Sequence, residues 1–209
     1  MKKNKNTKQL GFTLIELLVA ITIFGIFIAI GASSLVDIMK QDQKVSVLRK
    51  VQEDTRYILE SIAREARNAN GELNAAGERI GLAYSVDNGK LTIINTDRLA
   101  KKVTKKEYST VDIAGGFKNI QLISSEKDIG GDWPTNVQPV VLNNSTDVVI
   151  KEFTPAVSNI PDPTADPLKL VPPKLDIKIV AQSNEKKYVF NGQSQPSAEL
   201  TTAVSPRNY

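Results

Sequence analysis

One acidic side chain stands inside a long apolar run near the start of the chain. The run extends from Phe12 to Val36, and Glu16 is the one charged residue in it. A carboxylate inside a bilayer costs several kcal/mol unless it is protonated or paired with a cation. We therefore expect Glu16 to have a specific partner cation, with a protonated and unpartnered Glu16 as the alternative.

Two residue types that carry much of enzyme chemistry are missing from the sequence. The 209 residues contain no Cys and no His. This composition excludes Ser-His-Asp triads, cysteine nucleophiles, zinc sites of the usual kind and every disulfide. We predict no catalytic residue, no metal ion and no cofactor, and a fold that depends on packing alone.

The excess of positive charge is confined to the N-terminus. The sequence has 27 basic and 23 acidic residues. Four lysines that precede the apolar run account for the whole difference: Lys2, Lys3, Lys5 and Lys8. Because the remainder is formally neutral, nucleic acid is not an expected partner. Lysines directly before an apolar run are instead typical of a signal that keeps the N-terminus in the cytoplasm.

The apolar run has the length of a transmembrane helix. Twenty-five helical residues at ~1.5 Å each span about 37 Å, against ~30 Å for the hydrocarbon layer. Two simpler interpretations are a secretory signal cleaved near Ala29 to Ala32 and a plain membrane anchor. Neither has a use for Glu16.

The residues around this carboxylate carry a resemblance to a known family. The segment Gly11-Phe12-Thr13-Leu14-Ile15-Glu16-Leu17-Leu18-Val19-Ala20-Ile21 closely resembles the N-terminal signature of type IV pilins and type II secretion pseudopilins. The resemblance implies that a membrane aspartic peptidase cuts between Gly11 and Phe12, that residues 1–11 are discarded and that Phe12 becomes N-methylated. It also implies that Glu16 pairs with the Phe12 ammonium of a neighbouring subunit during assembly.

Helical periodicity continues beyond the apolar run. Apolar residues recur on one face from Leu35 to Ala69 while the other faces are charged, and Asn70-Gly71 is a suitable stop. We predict one helix from Phe12 to Ala69, about 87 Å long. Residues 12–36 would lie in the membrane or the filament core. Residues 37–70 would pack beneath a globular head formed by residues 71–209.

Small residues within the apolar part allow two interpretations. Gly25, Ala29 and Ala32 are four and three residues apart, so they form either a surface for close helix approach or ordinary membrane-helix composition. Gly25 and Gly31 are also places where the helix could loosen.

Strand and turn signals fill residues 71–209. Asp87-Asn88-Gly89 between two apolar runs predicts a hairpin. Further strands are predicted at Arg79–Val86, Lys90–Asn95, Asp112–Ala114, Phe117–Ile123, Val137–Leu142, Val148–Phe153, Leu175–Ala181, Lys187–Phe190 and Glu199–Val204. The strands on either side of Gly115-Gly116 are either a pair joined by a turn or one bulged strand. Residues 154–173 contain six prolines, which predicts an extended surface loop. We expect an α+β, pilin-like fold in which one antiparallel sheet packs on the outer half of the helix.

Two features of the head could contact a ligand. Lys101, Lys102, Lys105 and Lys106 form a basic run, which favours a solvated loop or strand edge over a phosphate contact. Trp133 is either an exposed recognition residue or, as we favour, the anchor of a loop.

Three further segments, which are less specific than the N-terminal signature, resemble particular subtypes of this family. The stretch Ala63–Ala69, the hairpin at Tyr84–Val86 and the closing segment Leu200–Asn208 are similar to minor pilins of the W type and J-type pseudopilins. Many pilins close a C-terminal loop with a disulfide, so here the loop Ser183–Ala198 needs hydrogen bonds and packing or is mobile.

The resemblance implies a structural subunit that initiates or decorates a type IV pilus-like or type II secretion filament. Its expected partners are other pilin or pseudopilin subunits, the prepilin peptidase and methyltransferase, and an inner-membrane assembly platform. It would cross the cytoplasmic membrane once with its N-terminus inside, and then enter a periplasmic or extracellular filament. The alternative function is a tip adhesin or DNA-uptake module displayed on such a filament.

Overall fold

A computed structural model describes residues 13–143, 147–159, 172–184 and 195–207 of the chain. The chain divides into two compact units, Met1–Val45 and Ser46–Tyr209. One helix, α1, runs without a break from Leu14 to Asn68 and contributes to both units. The predicted helix is therefore confirmed, to within a residue or two at each end.

In the first unit, the described residues of α1 expose nearly all of their apolar side chains. Phe24 and Phe27, for example, are 65% and 69% exposed. The helix is long and apolar enough to cross a membrane, as judged by its length and composition. Gly25 and Gly31 lie within regular helix, so the predicted loosening is not seen at either glycine.

In the second unit, one face of α1 is buried. The buried positions recur at three- and four-residue steps: Val51, Thr55, Ile58, Leu59, Ile62, Ala63 and Ala66. Their spacing forms a continuous stripe that joins the buried apolar residues of the strands in one core. The predicted packing of the outer helix beneath the head is confirmed from Val51 onward.

The stop after α1 uses the glycine that the sequence predicts. Gly71 has a φ of 83°, and a Cβ at this position would lie 2.5 Å from the carbonyl oxygen of Gly81. The Asn70 side chain donates to the Thr96 carbonyl at 2.9 Å and accepts from the Thr96 N–H at 2.7 Å. The chain leaving the helix is thus fixed to the sheet.

Eight strands form one sheet in the described residues. They are β1 (Tyr84–Asp87), β2 (Lys90–Asp97), β3 (Lys102–Ile113), β4 (Phe117–Asp128), β5 (Val140–Val141), β6 (Val148–Ser158), β7 (Lys174–Ser183) and β8 (Ser197–Val204). The order is β1-β2-β3-β4-β6-β7-β8, and β5 pairs with β4. Every pairing is antiparallel. The predicted α+β fold is confirmed.

Both predicted tight turns join paired strands. Asn88 and Gly89 have φ values of 48° and 74°, as a type I′ hairpin requires. Gly115 and Gly116 connect β3 to β4 with φ values of 88° and 76°. The strand pair, and not the alternative bulged strand, is therefore present at Gly115-Gly116.

Several predicted strand boundaries are wrong. The first strand begins at Tyr84 and not at Arg79, because Arg79 instead bridges back to Leu73. Of the predicted Val137–Leu142 strand, only Val140 and Val141 form a strand, β5. The predicted strand Lys187–Phe190 lies outside the described residues.

Strand β6 continues into the segment predicted to be a loop. It ends at Ser158, and Pro155 is in register with Ile177 of β7. Pairing on the β4 side of this strand is registered only at Ile150. Because no β4 ladder bond is needed beyond that point, the missing N–H of Pro155 costs little. Residues 160–171 lie outside the described part of the chain.

Tyr108 of β3 gives the core a pH-dependent component. Burial, and secondarily the negative charge of Glu65, raise the pKa of its phenol above the ordinary value. The contribution of this group to stability is fully present below about pH 10, where an unfolded tyrosine starts to ionise, and is lost as pH rises through the folded-state pKa.

We expect Tyr108→Phe to weaken the alkaline loss of stability, because the unfolded chain then gains less from ionisation. The measurement is the free energy of unfolding as a function of pH above about 9. Tyr57, which is 72% exposed, supplies the control Tyr57→Phe. An alkaline limb that is the same in Tyr108→Phe and the unsubstituted chain would contradict the assignment.

Candidate functional site at the start of the helix

Thr13 and Glu16 form a capping box at the first turn of α1. The Glu16 Oε2 atom accepts hydrogen bonds from the Thr13 backbone N–H and the Thr13 hydroxyl, each at 3.0 Å. The Thr13 Oγ1 atom in turn accepts from the Glu16 backbone N–H at 3.3 Å. This reciprocal pattern satisfies N–H groups that a helix start otherwise leaves without partners.

The capping box gives the Glu16 carboxylate two hydrogen-bond donors and no cation, and it leaves part of that carboxylate available. Both side-chain bonds go to Oε2, and within the described residues no contact engages Oε1. A carboxylate has about four acceptor sites. Glu16 therefore has capacity to accept a cation while it caps its own helix.

The described residues do not include Gly11 or Phe12, so the cleavage bond and the methylated amine stay predictions. Thr13, the residue directly after Phe12, is bonded to Glu16 through its backbone N–H. The role of Thr13 was not predicted from the sequence. The signal was present as Thr13-Leu14-Ile15-Glu16, the T-x-x-E spacing of a capping box.

Residues 6–32 match a family model described as the prokaryotic N-terminal methylation motif. The start of the chain is therefore similar to the N-terminus of type IV pilin-like prepilins. The match extends from the lysine-containing segment through Glu16 to Ala32, so it covers the carboxylate and most of the apolar run. It implies processing by a prepilin peptidase and assembly with other pilins, and such proteins are structural subunits. Comparisons with curated proteins and with solved structures found no match.

The basic run Lys101 to Lys106 lies mostly on an internal strand of the head. Lys102, Lys105 and Lys106 belong to β3, which is flanked by β2 and β4, so the predicted loop or strand edge is wrong for these three. Lys101 is an exposed residue of the connection before β3, as predicted. Lys106 pairs with Glu65 of α1 at 2.7 Å, and Lys102 pairs with Glu126 of β4. These intramolecular partners let cationic side chains occupy a central strand.

Trp133 lies over two of the head lysines. The Nζ atoms of Lys105 and Lys127 are 4.8 Å and 4.6 Å from its ring centroid, within cation–π range. Lys127 also pairs with Glu72 at 2.7 Å, and its side chain is only 9% exposed. The half-buried ring thus holds the segment after β4 onto the sheet, as expected of a loop anchor.

The ends of the segment that a disulfide often closes in pilins are joined by hydrogen bonds. The Ser183 N–H donates to the Pro196 carbonyl at 3.0 Å, and the Gln182 side chain donates to Gln195 at 2.7 Å. Residues 185–194 lie outside the described part. Across the described ranges, no group of three or more Asp and Glu side chains is arranged to hold a metal ion.

Proposed function

We propose that this protein is a minor pilin or pseudopilin, a structural subunit that initiates or decorates a type IV pilus-like or type II secretion filament. The observation that carries the proposal is the N-terminal methylation motif with Glu16 at the first turn of an apolar helix. Its function lies in membrane insertion, extraction and subunit contacts, without catalysis.

Maturation and anchoring divide the chain into four parts. Residues 1–11 are the leader, removed by cleavage of the Gly11–Phe12 bond, and Phe12 is then N-methylated. Residues 12–36 anchor the precursor in the cytoplasmic membrane and later enter the filament core. Residues 37–70 carry the head on the outer half of the helix, and residues 71–209 supply most of that head. Lysines before the span support an inside N-terminus and an outside head.

The Glu16 carboxylate fixes the position at which neighbouring subunits dock on one another. The Phe12 ammonium of a neighbouring subunit binds the side of the carboxylate that the Thr13 contacts leave available. A carboxylate in an apolar filament core carries a large penalty when it has no cation, so one docking register is strongly preferred. The same charge pair selects other pilin-type subunits as partners.

Display of a binding head, as a tip adhesin or DNA-uptake module on the same filament, is the alternative function. Its DNA-uptake version is disfavoured, because several lysines of the basic run already have intramolecular partners. The assembly platform and the processing enzyme are partners under either function.

Release of the mature chain by shearing tests the filament proposal. We expect the protein to appear in sheared surface or periplasmic filament fractions, together with another pilin-type subunit. Its precursor should remain in the membrane fraction when the prepilin peptidase is inactivated. Recovery solely as a membrane protein, with and without the peptidase, would contradict the proposal.

A further inference from the structure

A cavity of about 620 Å³ lies at one end of the head sheet. Three parts of the second unit form it: the turn after α1 (residues 73–77), the connection between β2 and β3 (Arg98, Ala100 and Lys101), and the end of β4 (Asp128 and Ile129). The volume is within the roughly 300–1,000 Å³ of small-molecule sites. No part of the proposed filament role uses this cavity.

The β2–β3 connection is held in one conformation. The Asp97 carboxylate accepts hydrogen bonds from the N–H groups of Leu99 and Ala100 at 2.9 Å and 3.1 Å. The Ile129 N–H donates to the Lys101 carbonyl at 3.0 Å and ties this connection to the end of β4. A site with walls fixed in this way loses little entropy when it binds a ligand.

The cationic side chains of Arg98 and Lys101 line the cavity, and most of their N–H donors make no hydrogen bond within the described residues. Within the described residues, Lys101 makes no ion pair, and the guanidinium of Arg98 makes one long hydrogen bond, 3.5 Å to the Gly77 carbonyl. Both side chains belong to exposed residues. Lys101 holds a φ of 55°, a conformation that is uncommon for a lysine. An anionic group on a ligand would satisfy both cations.

The other residues that line the cavity place two further requirements on the chemistry of a ligand. Asp128 contributes a carboxylate, which accepts hydrogen bonds from hydroxyl groups and repels closely spaced negative charges. Leu73, Ala76 and Ile129 contribute apolar surface. A fitting ligand therefore combines separated carboxylates, many hydroxyls and apolar C–H faces.

We propose that this cavity binds a short acidic oligosaccharide, with a uronate carboxylate at Arg98 and Lys101 and a sugar hydroxyl at Asp128. The head would then attach its filament to acidic polysaccharide. Phosphate-rich chains fit less well, because Asp128 opposes their denser negative charge. Leu99, which is 97% exposed at the tip beside the cavity, is available to contact the outer sugar.

The proposal is tested first with the unsubstituted full chain in micelles of a detergent that contains no sugar. Saturation-transfer NMR compares trigalacturonate, the neutral sugar maltotriose and a thymidine trinucleotide, while inorganic phosphate, which has no carbon-bound proton to observe, is tested as a competitor that displaces trigalacturonate. We expect saturable binding of trigalacturonate alone. No binding of trigalacturonate overturns the proposal, and so does comparable binding of any of the other three compounds.

Two substitutions then locate the site. Arg98→Gln and Lys101→Asn should each weaken trigalacturonate binding about tenfold or more, the usual effect of losing one charge-assisted hydrogen bond. Asn accepts the left-handed backbone of position 101, so this change removes the cation with little strain. Arg64→Gln, at an exposed arginine of α1 outside the cavity, is the matched control and should bind normally.

If Arg64→Gln weakens trigalacturonate binding equally, the binding is non-specific charge attraction and the proposed site is wrong. Unaltered Trp133 fluorescence checks that each variant is folded. The comparison of ligands on the unsubstituted chain tests the proposed oligosaccharide binding even if a variant fails to fold. Because these experiments need no filament, a negative result leaves the proposed filament function standing.

Discussion

Replacing Glu16 by alanine should reduce the incorporation of the protein into filaments roughly tenfold or more, while leader removal continues. The reason is the cost of an unmatched charge in an apolar core, since removing one partner of a buried ion pair typically costs about 3–5 kcal/mol. The measurement is the ratio of protein in sheared filaments to total mature protein in the cell.

Glu16→Gln separates the two roles that the structure allows for this side chain. Glutamine at this position supports a capping box as glutamate does, but it carries no charge. Our account predicts that Glu16→Gln is nearly as defective as Glu16→Ala. Thr13→Val, which removes the cap hydroxyl and keeps the carboxylate, should lose only about 1 kcal/mol of helix stability.

A hydroxyl elsewhere in the apolar run supplies the control. Thr22 Oγ1 donates to the Leu18 carbonyl of its own helix at 2.8 Å, so Thr22→Val should be incorporated normally. If Glu16→Gln is incorporated like the unsubstituted protein while Thr13→Val fails, Glu16 serves its own helix and the registration role is wrong.

Replacing Asn143 by alanine should destabilise the head by about 3 kcal/mol, because three buried polar groups lose a hydrogen bond at once. The Asn143 carbonyl accepts from the Ile120 N–H at 2.8 Å. Its amide donates to the Asn119 side chain at 3.0 Å and to the Val148 carbonyl at 2.9 Å. Asn143 itself is 5% exposed.

This side chain takes the place of missing backbone pairing between β4 and β6. The two strands are registered only at Lys118 and Ile150, and the Asn143 amide joins them beside that point. Denaturant unfolding of the full chain, followed by the fluorescence of Trp133, measures the loss. Asn159→Gly, at an exposed asparagine with a φ of 57°, should change stability by less than about 0.5 kcal/mol. A similarly small loss for Asn143→Ala would contradict the proposed structural role.

Local signals in the sequence predicted those parts of the fold that depend on local chemistry. The apolar stripe of the outer helix and the Asn88-Gly89 hairpin appear where periodicity and turn chemistry place them. The N-terminal motif is also a local signal, because the residues that carry it are contiguous in the sequence, and residues 6–32 match the methylation-motif model.

Features that depend on distant partners could not be predicted in the same way. The lysines of β3 look like a solvated loop until Glu65 and Trp133 are placed beside them. Asn143 looks like a turn residue, and its buried bonds to Ile120 and Val148 require the sheet order to be known. Pro155 marks a loop in the sequence but lies in a strand, because the β4 pairing has already ended.

The mass of the N-terminal peptide, from protein purified out of its own cells, shows whether the chain is processed as a filament subunit. We expect a mature chain that begins at Phe12 and carries one N-methyl group, with the apolar helix retained. A chain that begins near Ser33, or an intact chain that still begins at Met1, would show a secreted or simply anchored head and would contradict the filament proposal.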